Sequence, residues 1–167
     1  MGYQEHKQKA PKSVNCSVLI ISGTRTEQSD ESGKLIMQAL KRNDHQVISY
    51  SILKNDAHSI LDKLNELLKE ESLQVIITSG GTGASHLDIT IETISPTLDK
   101  KLDGFGELFR FLTYQEIGTG SIMSRAMAGV VKGKVIICLP GSVEATSLAM
   151  ERIILPEIGH LVREATR

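Results

Sequence analysis

Leu73-Gln74-Val75-Ile76-Ile77-Thr78 runs directly into Ser79-Gly80-Gly81-Thr82-Gly83, then Ala84-Ser85-His86-Leu87-Asp88-Ile89-Thr90. The first part is short, almost continuously apolar and rich in β-branched residues. It lacks the alternation of a strand with one wet face. A strand of this kind is covered on both sides, which happens mainly in parallel sheets flanked by helices. Val14–Ser22 and Lys134–Leu139 have the same character, whereas Gln46–Ile52 alternates in part and belongs nearer a sheet edge.

The gaps between these runs carry helical periodicity. Leu35, Ile36, Ala39 and Leu40 recur at helical spacing behind the capping candidates Ser29 and Asp30. Ile60, Leu61, Leu64, Leu67 and Leu68 form a broad stripe, with Asn55 or Asp56 as N-cap. Ala145, Leu148, Ala149 and Ile153 form another; Pro156 breaks or restarts that helix, and Ile158, Leu161 and Val162 continue its apolar face. Strand–helix alternation of this form predicts right-handed βαβ units. The expected fold is α/β, a three-layer α/β/α sandwich around a mostly parallel central sheet. One domain over residues 13–167 follows a flexible, basic tail over residues 1–12.

The chain has 167 residues, 40% hydrophobic and 23% charged, with a formal net charge of −1. That balance gives no global field toward nucleic acid or an anionic membrane. No apolar run approaches the length of a membrane span, and the polar N-terminus lacks the apolar centre of a secretory signal, so a cytoplasmic protein is expected. Cys16 and Cys138 lie inside apolar runs and read as small core hydrophobes. The five histidines show no metal-ligand spacing. No Gly-x-Ser-x-Gly elbow suggests a serine nucleophile.

Ligands of open parallel sheets bind beyond the carboxyl ends of the strands. After the third run, three glycines in four positions let the backbone approach a ligand and turn its N–H groups inward, a nest suited to phosphate. Ser79 and Thr82 add hydroxyls there. No Lys-Ser or Lys-Thr follows, so this is not a Walker loop. Asp88 is placed to hold Mg²⁺ beside a phosphate, or else to cap the helix that follows. After the fourth run, Pro140-Gly141-Ser142 leads into a helix; after the first, Ser22-Gly23-Thr24-Arg25 brings a hydroxyl and a cation. Asn55-Asp56 follows the second, and Ser124-Arg125 supplies another hydroxyl and guanidinium. Residues for phosphate and metal thus gather at four strand ends.

Thr78-Ser79-Gly80-Gly81-Thr82-Gly83 with Asp88-Ile89-Thr90 resembles the TxGGTG…D-[VI]-T signature of the MoaB/MogA family of molybdenum cofactor synthesis. Asp103-Gly104-Phe105-Gly106-Glu107-Leu108-Phe109-Arg110 is similar to its GFGExFR segment. Asp30-Glu31-Ser32-Gly33, Ser124-Arg125 and Pro140-Gly141-Ser142 fall in the family's order, and the compact length is closer to MoaB than to MogA. The resemblance implies a molybdopterin adenylyltransferase, which transfers AMP from Mg-ATP to the molybdopterin phosphate. It implies Asp88 and Asp56 as catalytic and Mg²⁺-binding carboxylates. Ser22, Ser79, Gly80, Gly81, Thr82, Gly83, Ser124, Arg125, Pro140, Gly141 and Ser142 would bind ligand. It further implies a homo-oligomer, trimer or hexamer, and contact with other proteins of cofactor synthesis.

Departures from the pattern keep alternatives open. Gly23 stands where the family often has Asp. Asn55 aligns with its second carboxylate and Asp56 lies one position later; Leu87 and Ile91 replace a usual Arg and Pro. A molybdopterin carrier or scaffold without efficient catalysis is the first alternative. Hydrolase chemistry of the kind associated with damage-inducible proteins that share the domain is the second.

Overall fold

The computed structural model describes residues 7–167. Its strands are β1 (Asn15–Ile21), β2 (Gln46–Leu53), β3 (Val75–Ser79), β4 (Lys100–Lys101), β5 (Met127–Val131) and β6 (Lys134–Leu139). They form one sheet in the order β2-β1-β3-β6-β5-β4. The pairings β1–β2, β1–β3 and β3–β6 are parallel, and β5 and β4 add antiparallel at one edge. Every residue of β3 and β6 is buried, whereas β2, the strand that alternates in sequence, lies at the other edge.

The helices are α1 (Glu31–Arg42), α2 (Ala57–Leu68), α3 (Thr90–Ile94), α4 (Asp103–Ile117), α5 (Val143–Ala149) and α6 (Leu155–Ala165). Alternate strand residues sort them into two layers. Val18, Ile20, Val75, Ile77, Val135 and Ile137 face Ile36 and Leu40 of α1, Phe105 and Phe109 of α4, and Ile158 and Val162 of α6. Leu19, Ile21, Ile76, Ile136 and Cys138 face Ile60, Leu64 and Leu67 of α2 and Ile94 of α3. This is the expected three-layer α/β/α sandwich.

Asp30 caps α1 by accepting from Gly33 N at 3.0 Å. Asp56 caps α2 by accepting from Ser59 N at 2.9 Å. A π-turn over Met150–Ile154 joins α6 to α5. Pro156 lies just past it in a continuous helical run, where it lacks the N–H that would continue the regular ladder. Of the expected tail, residues 1–6 lie outside the described residues. Lys7 pairs with Glu157 at 2.7 Å, and the Pro11 carbonyl lies where a Cβ on Gly159 would sit.

Cys16 and Cys138 are buried and free; burial raises each thiol to about 12, so both are inert core residues. No helix among the described residues is long and apolar enough to cross a membrane.

Candidate functional site

Parallel register brings the carboxyl ends of four strands level. Ile20 of β1 lies opposite Ser79 of β3, Ser79 opposite Leu139 of β6, and Ile21 opposite Leu53 of β2. The ladder continues one step into the loops, through Ser22 N to Leu53 O at 2.8 Å and Gly80 N to Leu139 O at 3.0 Å. The loops beyond this row meet in a cavity of about 1240 Å³.

The glycine loop forms part of the cavity wall. Gly80 and Gly81 adopt φ of 106° and 66°, and a Cβ on Gly80 would strike the Ile21 carbonyl oxygen. Only glycine suits this turn. The loop is fastened from behind. Thr90 is fully buried; its Oγ1 donates to Gly80 O and its N to Gly81 O, both at 2.9 Å. Arg125 Nη1 donates to Gly83 O at 2.8 Å, and its Nη2 pairs with Glu92. That hydrogen bond from Arg125 holds the Glu92 carboxyl below the usual carboxylate range. With the carbonyls held, the N–H groups of Gly81, Thr82 and Gly83 donate to no acceptor among the described residues. Adjacent unpaired N–H groups make an anion nest.

Asp88 lines the cavity beside this nest. Its Oδ2 accepts from Ser85 N at 3.1 Å and would lie 2.5 Å from a Cβ on Gly83. It is no helix cap, since α3 begins after Ile89 without a side-chain cap. Pro140, Gly141 and Ser142 form the opposite lip. The Gly141 carbonyl accepts from Arg25 Nη2 at 2.6 Å and Ser32 Oγ at 2.8 Å. Arg25 leans on the fully buried Asp30, 3.6 Å away, which also accepts from Tyr50 Oη at 2.7 Å. Burial and this hydrogen bond raise the Tyr50 hydroxyl well above its ordinary value. The Asp-x-Ser-Gly motif therefore sets the position of the lip. Its spacing shows in the sequence, but the carbonyl it holds lies 109 residues away from Ser32.

Of the residues expected to bind ligand, Ser22, Gly80, Gly81, Thr82, Gly83, Ser124, Arg125, Pro140, Gly141 and Ser142 line the cavity. Ser79 does not; it is buried and its Oγ donates to Pro140 O at 3.1 Å, tying the two loops together. Asp56 also stands apart from the lining residues. Its two carboxylate oxygens accept from Ser59 N and from Ser59 Oγ, the latter at 2.7 Å, which lowers its pKa. Asn55 is the residue at the loop: its Oδ1 lies 2.8 Å from a Cβ on Gly81, and its Nδ2 donates to Leu87 O. That Oδ1 is buried and has no hydrogen-bond partner. His86 is exposed and does not line the cavity.

Leu35, Glu116, Ile117, Met123, Leu148, Glu151 and Arg152 also line the cavity, although none was expected at the site. These residues follow no strand end, so the rule that located the loops does not reach them. Among the described residues no three His, Cys, Asp or Glu side chains group to hold a metal by themselves.

Residues 17–160 match a family model described as "Probable molybdopterin binding domain". Molybdenum cofactor biosynthesis protein B of Bacillus cereus is 45% identical over 168 residues, covering 100% of this chain and 99% of that one. A crystal structure of a molybdenum cofactor biosynthesis protein B superposes with a TM-score of 0.90 at 46% identity, covering 94% of this chain and 98% of the other. The tungsten cofactor synthesizing protein MoaB from Pyrococcus furiosus gives 0.86 at 38% identity, over 95% and 100%. With this fold, these loops and this extent of similarity, the chain belongs to the molybdopterin-binding domain family of molybdenum cofactor biosynthesis.

Proposed function

We propose that the chain is a molybdopterin adenylyltransferase. The observation that carries the reading is a nest of three unpaired N–H groups, flanked by Asp88, in a cavity of about 1240 Å³. Sites for one small molecule typically occupy about 300–1000 Å³, so this space suits two ligands joined at a phosphate. An oxygen of the molybdopterin phosphate attacks the α-phosphorus of ATP. The new P–O bond forms as the bond to the bridging α–β oxygen breaks, and pyrophosphate leaves. Gly81, Thr82 and Gly83 hold phosphate oxygens in line. Because Thr90 and Arg125 fix the loop beforehand, its N–H dipoles need little reorganisation as charge develops.

Mg²⁺ fits this donor set. It usually takes only one or two protein carboxylates and completes its shell with phosphates and water. Asp88 supplies a carboxylate, and the unpartnered Asn55 Oδ1 is a neutral oxygen beside the same loop. When bound, Mg²⁺ would neutralise phosphate charge. Asp56, committed to Ser59, is the weaker candidate.

The proposed protein works in the cytoplasm as a homo-oligomer. Leu108, Phe111, Tyr114 and Ile122 are exposed along α4 and the turn after it, outside the cavity lining, an apolar band that a second copy would cover. The test of the reaction is pyrophosphate release that requires both ATP and molybdopterin. Tight molybdopterin binding without pyrophosphate release would favour the carrier reading, for which the amide at Asn55 speaks.

A further inference from the structure

Three cations line the cavity: Arg25, Arg125 and Arg152. Arg25 is committed to Gly141 O and Asp30, and Arg125 to Gly83 O and Glu92. The Arg152 side chain makes no hydrogen bond or ion pair to any other described residue. It is carried by the π-turn between α5 and α6, a helix irregularity found often at functional sites. From Ser142, at the start of α5, to Arg152 is ten residues along one helical rod, about 15 Å at 1.5 Å per residue. Arg152 therefore stands well away from the lip.

The cavity that Arg152 lines suits a ring better than a second phosphate beyond the nest. Leu35, Ile117, Met123 and Leu148 provide aliphatic walls, and no aromatic side chain lines the cavity among the described residues. Glu151, the neighbour of Arg152 in the chain, and Glu116 share the lining, two negative charges that oppose another anion. A heterocycle bearing amino and oxo groups needs flat contact, donors and acceptors. A guanidinium is planar, stacks on π faces and donates to ring nitrogens and carbonyl oxygens.

We propose that Arg152 lays its guanidinium on the heterocycle of the ligand whose phosphate occupies the glycine nest, a purine or a pterin. This rests on the phosphate reading of the nest. The test is calorimetric titration of the full-length wild type, Arg152→Lys and Arg152→Ala with three probes: pyrophosphate, ATP and dihydroneopterin phosphate. Pyrophosphate should bind all three proteins within about twofold. At least one ring-bearing probe should lose about tenfold in Arg152→Ala, and most of that loss should persist in Arg152→Lys, which keeps the charge and loses the plane. Loss confined to ATP identifies the purine as the ring; loss confined to the pterin phosphate identifies the pterin.

Equal loss for all three probes would make Arg152 a phosphate cation, and no loss would make it a spectator; either overturns the proposal. Full rescue by lysine would overturn it too. Failure of the wild type to bind pyrophosphate would sink the phosphate reading of the nest and the proposal with it, whereas pyrophosphate binding with ring-bearing probes indifferent to Arg152 would overturn the proposal alone. If the wild type binds none of the three, both fall.

Discussion

At the scale of single residues, neighbours in sequence do different work. Asn55 and Asp56 both follow β2, yet the amide meets the glycine loop while the carboxylate caps α2. Asp56→Ala should therefore lower Tm by roughly 2–4 °C and leave divalent-ion affinity unchanged. Asn55→Asp adds a charge where Oδ1 now lies buried without a partner. It should tighten Mn²⁺ binding, read by electron spin resonance, by about tenfold. Mn²⁺ affinity that falls in Asp56→Ala and stays fixed in Asn55→Asp would reverse the assignment.

His45 makes a pH-dependent contribution of its own. It is buried, and its Nδ1 accepts from Val14 N at 3.3 Å. Burial lowers its pKa below the ordinary 6.5. Below that pH an unfolded His45 takes up a proton that the folded one resists, so the unfolded state binds more protons. The contribution is present above about pH 6.5 and is lost as pH falls toward the folded pKa, with a slope of at most about 1.4 kcal/mol per pH unit. Urea midpoints between pH 7.5 and 5.5 should fall more steeply for the wild type than for His45→Gln; parallel slopes would refute this.

At the scale of elements, the loops are as constrained as the strands they follow. Gly80→Ala puts a Cβ against the Ile21 carbonyl at a φ that L-residues rarely adopt. Strain alone should cost at least about 1–3 kcal/mol, visible as a lower urea midpoint. The strands β1, β3 and β6 were legible because burial on both faces leaves a continuous apolar run. The strand β5 was not: Met-Ala-Gly-Val-Val is short, and its hairpin rests on positive φ at Lys132 and Gly133. Helix α4 was also hidden. It buries Phe105, Phe109 and Leu112 while exposing Leu108, Phe111 and Tyr114, so apolar residues on both sides blur its period. Asp88 and the glycine loop could be read because they directly follow a strand. Arg152 is positioned by helix length and a π-turn, neither of which has a local signal.

At the scale of the whole molecule, the sheet aligns the loops, the two helical layers bury its faces, and an apolar band on α4 is exposed. Sedimentation should find an assembly of several chains, dissociated by Phe111→Asp without loss of helical circular dichroism. A monomeric wild type would refute the assembly. The most direct test of the account as a whole is transfer of AMP from α-labelled ATP to molybdopterin with Mg²⁺, comparing wild type with Asp88→Ala. Labelled adenylyl-molybdopterin should form with the wild type, and at least about a hundredfold less with Asp88→Ala. A wild type that binds molybdopterin and never takes up label, or an Asp88→Ala protein that transfers as well as wild type, would contradict it.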